Sequence, residues 1–137
     1  MTRLVLDASV LAKWFRPEDC TGAEALRDAY SSGKLLVSAP SLLFLEIINA
    51  AARRWQWDAE QLRRLADGLE QLGFDVVEPK PRAVARWAVA GLTAYDACYV
   101  AAAEELNTFV VTDDELILRM GGRHARSIDQ AVGEIAG

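Results

Sequence analysis

Apolar residues recur along the chain in short blocks separated by amphipathic stretches, and the two periods predict alternating strands and helices. Leu4-Val5-Leu6 is a brief apolar run of the kind a strand buried on both faces needs. It passes directly into a helical pattern over Ala8–Phe15. Pro17 separates this helix from a second over Thr21–Ser31, closed by Gly33. Leu35–Ser38 predicts the next strand. Pro40 opens a long helix to Trp55, and Asp58–Leu72 predicts another, stopped by Gly73. Phe74–Val77 is a third strand, and Arg82–Ala90 is helical behind Pro79 and Pro81. Thr93–Leu106 follows as a helix with Thr93 as N-cap and Asp96 where a capping box places an acid. Phe109–Thr112 predicts a fourth strand, Asp114–Met120 a short helix and Gly121-Gly122 a turn. Arg126–Ile128 then predicts a last short strand before a terminal helix.

Short apolar strands alternating with helices indicate an α/β architecture: a mainly parallel sheet of four to five short strands, flanked by helices on both faces. The 137 residues are read as one domain over 1–137, long enough to bury its own core. In open sheets of this kind ligands gather beyond the carboxyl ends of the strands. Asp7 directly follows the first strand and Asp113-Asp114 directly follow the fourth, so both positions belong to that rim.

Composition narrows the chemistry. No stretch approaches the ~20 apolar residues of a membrane span, and no long apolar run opens the sequence as a signal peptide would; a cytoplasmic protein without membrane attachment is expected. Cys20 and Cys98 match no metal or redox spacing, and Cys98 in its apolar helix reads as a buried reduced thiol. His124 is the only histidine, which removes histidine-pair mechanisms and most zinc sites. A net charge of −5 argues against a general nucleic-acid coat, which would neutralise many phosphates, but is compatible with acids concentrated in a metal site.

Glu46 is the most anomalous of those acids, because it interrupts Leu42-Leu43-Phe44-Leu45 and Ile47-Ile48 in a helix that is otherwise apolar. A carboxylate in that setting needs a cation, a donor set or a metal. Asp96 has similar surroundings between Ala94-Tyr95 and Ala97-Cys98-Tyr99-Val100. Each acid has a purely structural role open to it. Asp7 can cap the helix from Ala8, Asp96 can favour a helix start, Glu46 can pair with Arg53 or Arg54, and Asp113-Asp114-Glu115 can serve a helix N-terminus. The combination says more than its members. Two strand-end acids and two acids in apolar helices can converge on one rim, where carboxylates ~4 Å apart repel by roughly 4 kcal/mol per pair at an effective dielectric near 20. Oxygen ligands without histidine or cysteine select hard ions such as Mg²⁺ or Mn²⁺, one or two of them, and such sites serve phosphate chemistry. The residues themselves lead to a metal-dependent phosphotransferase or nuclease and do not choose RNA.

Four segments add a resemblance. Leu6-Asp7-Ala8-Ser9-Val10-Leu11 resembles the opening motif of PIN domains, and Glu46 followed by Asn49 resembles the second. Thr93-Ala94-Tyr95-Asp96-Ala97-Cys98-Tyr99 is similar to the third and Val111-Thr112-Asp113-Asp114 to the fourth. Single motifs of this kind are weak; the ordered set, covering nearly the whole chain, is strong. The resemblance implies a PIN fold whose metal-site and catalytic carboxylates are Asp7, Glu46, Asp96 and Asp114, with Asp113 a further possible metal ligand. Ser9, Thr112 and Asn49 would support them. It further implies a VapC-like toxin of a type II toxin–antitoxin pair: a homodimeric endoribonuclease that hydrolyses RNA with a metal-activated water and is silenced by a VapB-like antitoxin. A catalytically silent RNA- or protein-binding module on the same fold is the alternative. A response-regulator receiver or a haloacid-dehalogenase-type phosphatase would need a further acid beside Asp7, where Ala8-Ser9 stand. Lys13, Arg16, Arg53 and Arg54 are the cations best placed to meet RNA. Trp14, Trp55 and Trp57 are candidates for base stacking, for the core or, as the favoured reading, for a dimer contact.

Overall fold

A computed structural model describes residues 2–16 and 21–136; the helix stop read at Pro17 and the thiol of Cys20 lie outside them. In chain order the elements are β1 (Thr2–Leu6), α1 (Ala8–Phe15), α2 (Thr21–Ser31), β2 (Leu35–Ala39), α3 (Leu42–Arg53), α4 (Ala59–Gln71) and β3 (Asp75–Val76). There follow α5 (Pro81–Val89), α6 (Ala94–Glu105), β4 (Val110–Val111), α7 (Glu115–Met120), a 3₁₀ turn (Gly122–His124), β5 (Ala125–Arg126) and α8 (Ile128–Ala136). All strand pairings are parallel, in the order β3-β2-β1-β4-β5. The expected α/β architecture is therefore the one observed.

That order decides where a ligand can go. From β1 the chain steps outward through β2 to β3, then returns to place β4 on the other side of β1 and β5 beyond it. Connections on either side of β1 thus leave in opposite directions. The crevice opens at the carboxyl ends of β1 and β4, the position at which open parallel sheets bind ligands. Val5 is in register with Val110 and Leu6 with Val111, so Asp7 and Thr112 emerge side by side.

The core forms on both faces of β1, whose Leu4, Val5 and Leu6 are completely buried. Val10 and Leu11 of α1, Leu43 and Ile47 of α3, and Tyr99, Val100, Ala102 and Ala103 of α6 close over the sheet. Each large aliphatic side chain removed from water contributes about 1.5–3 kcal/mol. The alanines of α6 add little area and instead let that helix approach the sheet closely. Trp14 belongs to this core, not to a contact surface: it is 8% exposed, stacked on Tyr30 at 6.1 Å and edge-on to Phe74 at 5.9 Å. Helical spacing puts it on the same face as Val10 and Leu11, which turns it inward. Cys98 is a free thiol but only half-buried, and burial with the nearby Glu78 and Glu46 carboxylates pushes it up to about 11.

Three strands are shorter than their apolar runs suggest, β4 keeping only Val110–Val111 of Phe109–Thr112. Phe74 leaves the edge strand to pack on Trp14 and Tyr30, so β3 is just Asp75–Val76. At the other edge the pairing expected over Arg126–Ile128 is confined to Ala125–Arg126. Ser127 caps the next helix, accepting from the Gln130 amide at 3.2 Å while its own amide donates to Gln130 Oε1 at 2.9 Å. Gly33 and Gly73, at φ 78° and 72°, take the left-handed conformation that follows α2 and α4.

Candidate active site

Asp7 is the N-cap of α1 and also the most buried acid of the crevice, 5% exposed. Its Oδ1 accepts from Ser9 Oγ at 2.6 Å and from the Val10 amide at 3.3 Å, and its Oδ2 accepts from the Thr112 hydroxyl. Both hydroxyls then accept from the next loop. Ser9 Oγ takes the Asp113 amide at 3.1 Å and Thr112 Oγ1 the Asp114 amide at 3.0 Å. Ser9 and Thr112 therefore bolt the end of β1 to the start of α7. Desolvation still outweighs these donors and raises the Asp7 carboxyl to about 6.

Three further helices bring acids to the same opening. Glu46 projects from α3 and accepts a hydrogen bond from Tyr99, a fully buried phenol on α6 whose ionisation burial and Glu46 push upward. Among the described residues Glu46 has no ion pair with Arg53 or Arg54. Asp96 stands in the first turn of α6, where Thr93 caps the helix by accepting from the Asp96 amide at 3.1 Å. Burial and then the Asp114 carboxylate raise Asp96, with the Thr93 hydrogen bond opposing them. Asp114 caps α7 through the Ile117 amide at 3.0 Å. Asp113 points instead to Lys13, 3.1 Å away. The capping roles open to Asp7 and Asp114 are thus real, and both residues face the crevice as well.

The result is a cavity of about 530 Å³ lined by Asp7, Ser9, Glu46, Asn49, Asp96, Asp113 and Asp114, with Lys13, Arg16 and Arg54 among its cations. Thr112 lies beneath it, fully buried. Arg53 is exposed and does not line it; the neighbouring Arg54 does, as the ~100° step per helical residue dictates. Sequence reasoning passed over Tyr99, although its signal was available: three residues beyond Asp96 it shares that helix face. Trp55 also lines the cavity.

Five carboxylates and three cations leave the cavity at a formal charge of −2. Among the described residues no three acids are drawn close enough to form a ready-made metal cage. The donor set nevertheless fits a hard divalent ion: oxygen ligands only, Asp7 raised by desolvation, and Asp96 raised by burial and then by Asp114.

Comparison with known proteins settles the family. The profile of the PIN domain matches residues 4–123. The chain belongs to the PIN domain family. Solved structures agree on the fold. PAE2754 from Pyrobaculum aerophilum superposes with a TM-score of 0.72 at 23% identity, covering 98% of this chain and 96% of that one. FitAcB from Neisseria gonorrhoeae gives 0.70 at 18% identity, over 93% and 98% of the two chains. FitAB bound to an IR36 DNA fragment gives 0.66 at 18% identity, over 93% and 95%. Among curated proteins none matches the sequence significantly. PIN domains are generally nucleases, and the acid-lined crevice of this PIN domain is the place such chemistry would occupy. No helix among the described residues is long and apolar enough to cross a membrane.

Proposed function

We propose that this PIN domain is a Mg²⁺- or Mn²⁺-dependent endoribonuclease, the VapC-like toxin of a type II toxin–antitoxin pair. The observation that carries the reading is the convergence of Asp7, Glu46, Asp96 and Asp114 on one cavity at the switch point of the sheet. Asp7, Glu46, Asp96 and Asp114 would hold the metal, with Asp113 kept at the rim by Lys13. A bound divalent ion would supply an acidified water and offset the charge that builds on the phosphate. The protein's own part is positioning. Ser9 and Thr112 hold both Asp7 oxygens in place, Tyr99 fixes Glu46, and Asn49 offers an amide to the substrate side. Lys13, Arg16 and Arg54 meet the polynucleotide backbone at the mouth. By the same family resemblance we expect a homodimer in the cytoplasm and a VapB-like antitoxin that brings a cation to the acids.

The test is cleavage of total cellular RNA by antitoxin-free protein in Mg²⁺, Mn²⁺ or EDTA, beside Asp96→Asn. Discrete metal-dependent fragments with 5′-phosphate and 3′-hydroxyl ends, lost in the variant, are expected. Ends bearing a 2′,3′-cyclic phosphate would overturn the mechanism. Since one structural relative was solved with DNA, single-stranded and duplex DNA belong in the same assay. Absence of cleavage of any of them by folded, Mn²⁺-binding protein would favour a silent binding module.

A further inference from the structure

One wall of the cavity is aromatic, and the proposed hydrolysis does not use it. Trp55 is half-buried and lines the cavity, just past the end of α3. Its backbone is tied down: the Arg54 and Trp55 amides both donate to Ala50 O, at 2.9 and 3.1 Å, and the Trp57 amide donates to Ala51 O at 3.0 Å. Gln56 between them takes a left-handed φ of 53°, uncommon for a residue with a side chain. Trp57 packs obliquely against Trp55, centroids 5.0 Å apart at 54°, and so backs the indole. Over the ring lies the guanidinium of Arg16, 5.4 Å from the centroid, on an exposed side chain that also lines the cavity. Arg54 stands beside them.

An indole on a tied-down backbone and two guanidiniums lining an acid-rich cavity are the parts that single-stranded nucleic-acid sites combine: a π surface for a base and cations for its backbone. We infer that Trp55 is a stacking subsite for one unpaired nucleobase next to the phosphodiester held over the acids, and that Arg16, displaced from the indole, turns to a phosphate. The inference rests on the nuclease reading above and adds to it the residue that takes the base. Stacking tolerates any base, since each has a π face. The subsite therefore gives preference for an unpaired position and not for a sequence.

The experiment measures affinity of the purified protein for a fluorescein-labelled single-stranded RNA, in Ca²⁺ to suppress cleavage, beside a copy of that RNA made wholly of abasic nucleotides. Trp55→Leu should weaken binding of the intact RNA about tenfold, Trp55→Phe much less, and neither should alter binding of the abasic copy. Arg16→Ala should weaken both RNAs and lower the salt dependence by about one counterion. Urea midpoints of the variants check that each is folded. Equal affinity of wild type and Trp55→Leu for intact RNA, or equal losses on both RNAs, would overturn the subsite while wild-type cleavage left the nuclease standing. A wild type that neither binds nor cleaves RNA would overturn the nuclease reading and the subsite together.

Discussion

Helix α6 carries an informative pair of carboxylates. Near its C-terminal end Glu104 accepts from Arg86 in two hydrogen bonds of 2.7 and 3.1 Å and from the Trp87 indole at 3.3 Å, with the His124 ring 4.0 Å away. The Arg86 guanidinium, above all, holds its carboxyl below the usual range. At the N-terminal end Asp96 sits where the helix dipole favours an acid, yet burial and Asp114 push it the other way. One acid was built with its countercharges and ties α5 and the 3₁₀ turn to α6. The other, like Asp7, is raised and not lowered by its surroundings. An acid that the fold itself fails to neutralise is the better pointer to function.

The largest expected break in this contrast is catalytic. Asp96→Asn should lower metal-dependent RNA cleavage by more than the roughly 10–100-fold typical of an outer-shell residue, while Glu104→Gln leaves it unchanged; single-turnover cleavage of one mapped RNA tests both. Next is stability without metal. Asp7 is raised from 3.8 to about 6 in the folded chain, so the native state binds the extra proton between those values. Its favourable contribution is complete below about pH 4 and is lost as the pH rises through about 6. In EDTA at pH 8 Asp7→Asn should therefore stabilise the protein by up to about 3 kcal/mol, and at pH 4 by almost nothing, as read from urea denaturation. Equal effects at the two values would contradict the burial argument. Mn²⁺ at a hundred times its dissociation constant should stabilise the wild type by about 2.7 kcal/mol in thermal melts and Asp7→Asn by much less. The smallest effect is at the compensated end. Glu104→Gln should cost about 1 kcal/mol or less near neutrality, and this difference should vanish as acid carries the wild type below the lowered Glu104 pKa.

Much of this was legible in the sequence because the sheet is simple. Apolar blocks next to Gly and Pro mark strands and helix ends, and Asp7 and Asp114 are strand-end acids whatever the tertiary detail. Glu46 stands out since its neighbours are apolar. What escaped depends on partners distant in sequence. Tyr99 looks like any core aromatic until α3 brings Glu46 to its hydroxyl. Choosing Arg54 over Arg53 needs the helix phase to within one residue. Trp14, Trp55 and Trp57 look alike in the sequence, yet the first is core and the second a cavity wall. The short edge strands were overestimated because capping by Ser127 and the packing of Phe74 outweighed strand propensity.

The hydrogen bond between Asp7 and Thr112 spans 105 residues. Its consequence concerns the order of synthesis. As the chain leaves the ribosome, β1 can pair early with β2, but its other neighbour, β4, and the hydroxyl that holds its acid are made more than a hundred residues after it. Any truncated or unfinished chain that stops before Thr112 carries Asp7 without the hydroxyl that holds its Oδ2. The crevice is therefore complete only once β4, the later-made of the two neighbours of β1, has joined it.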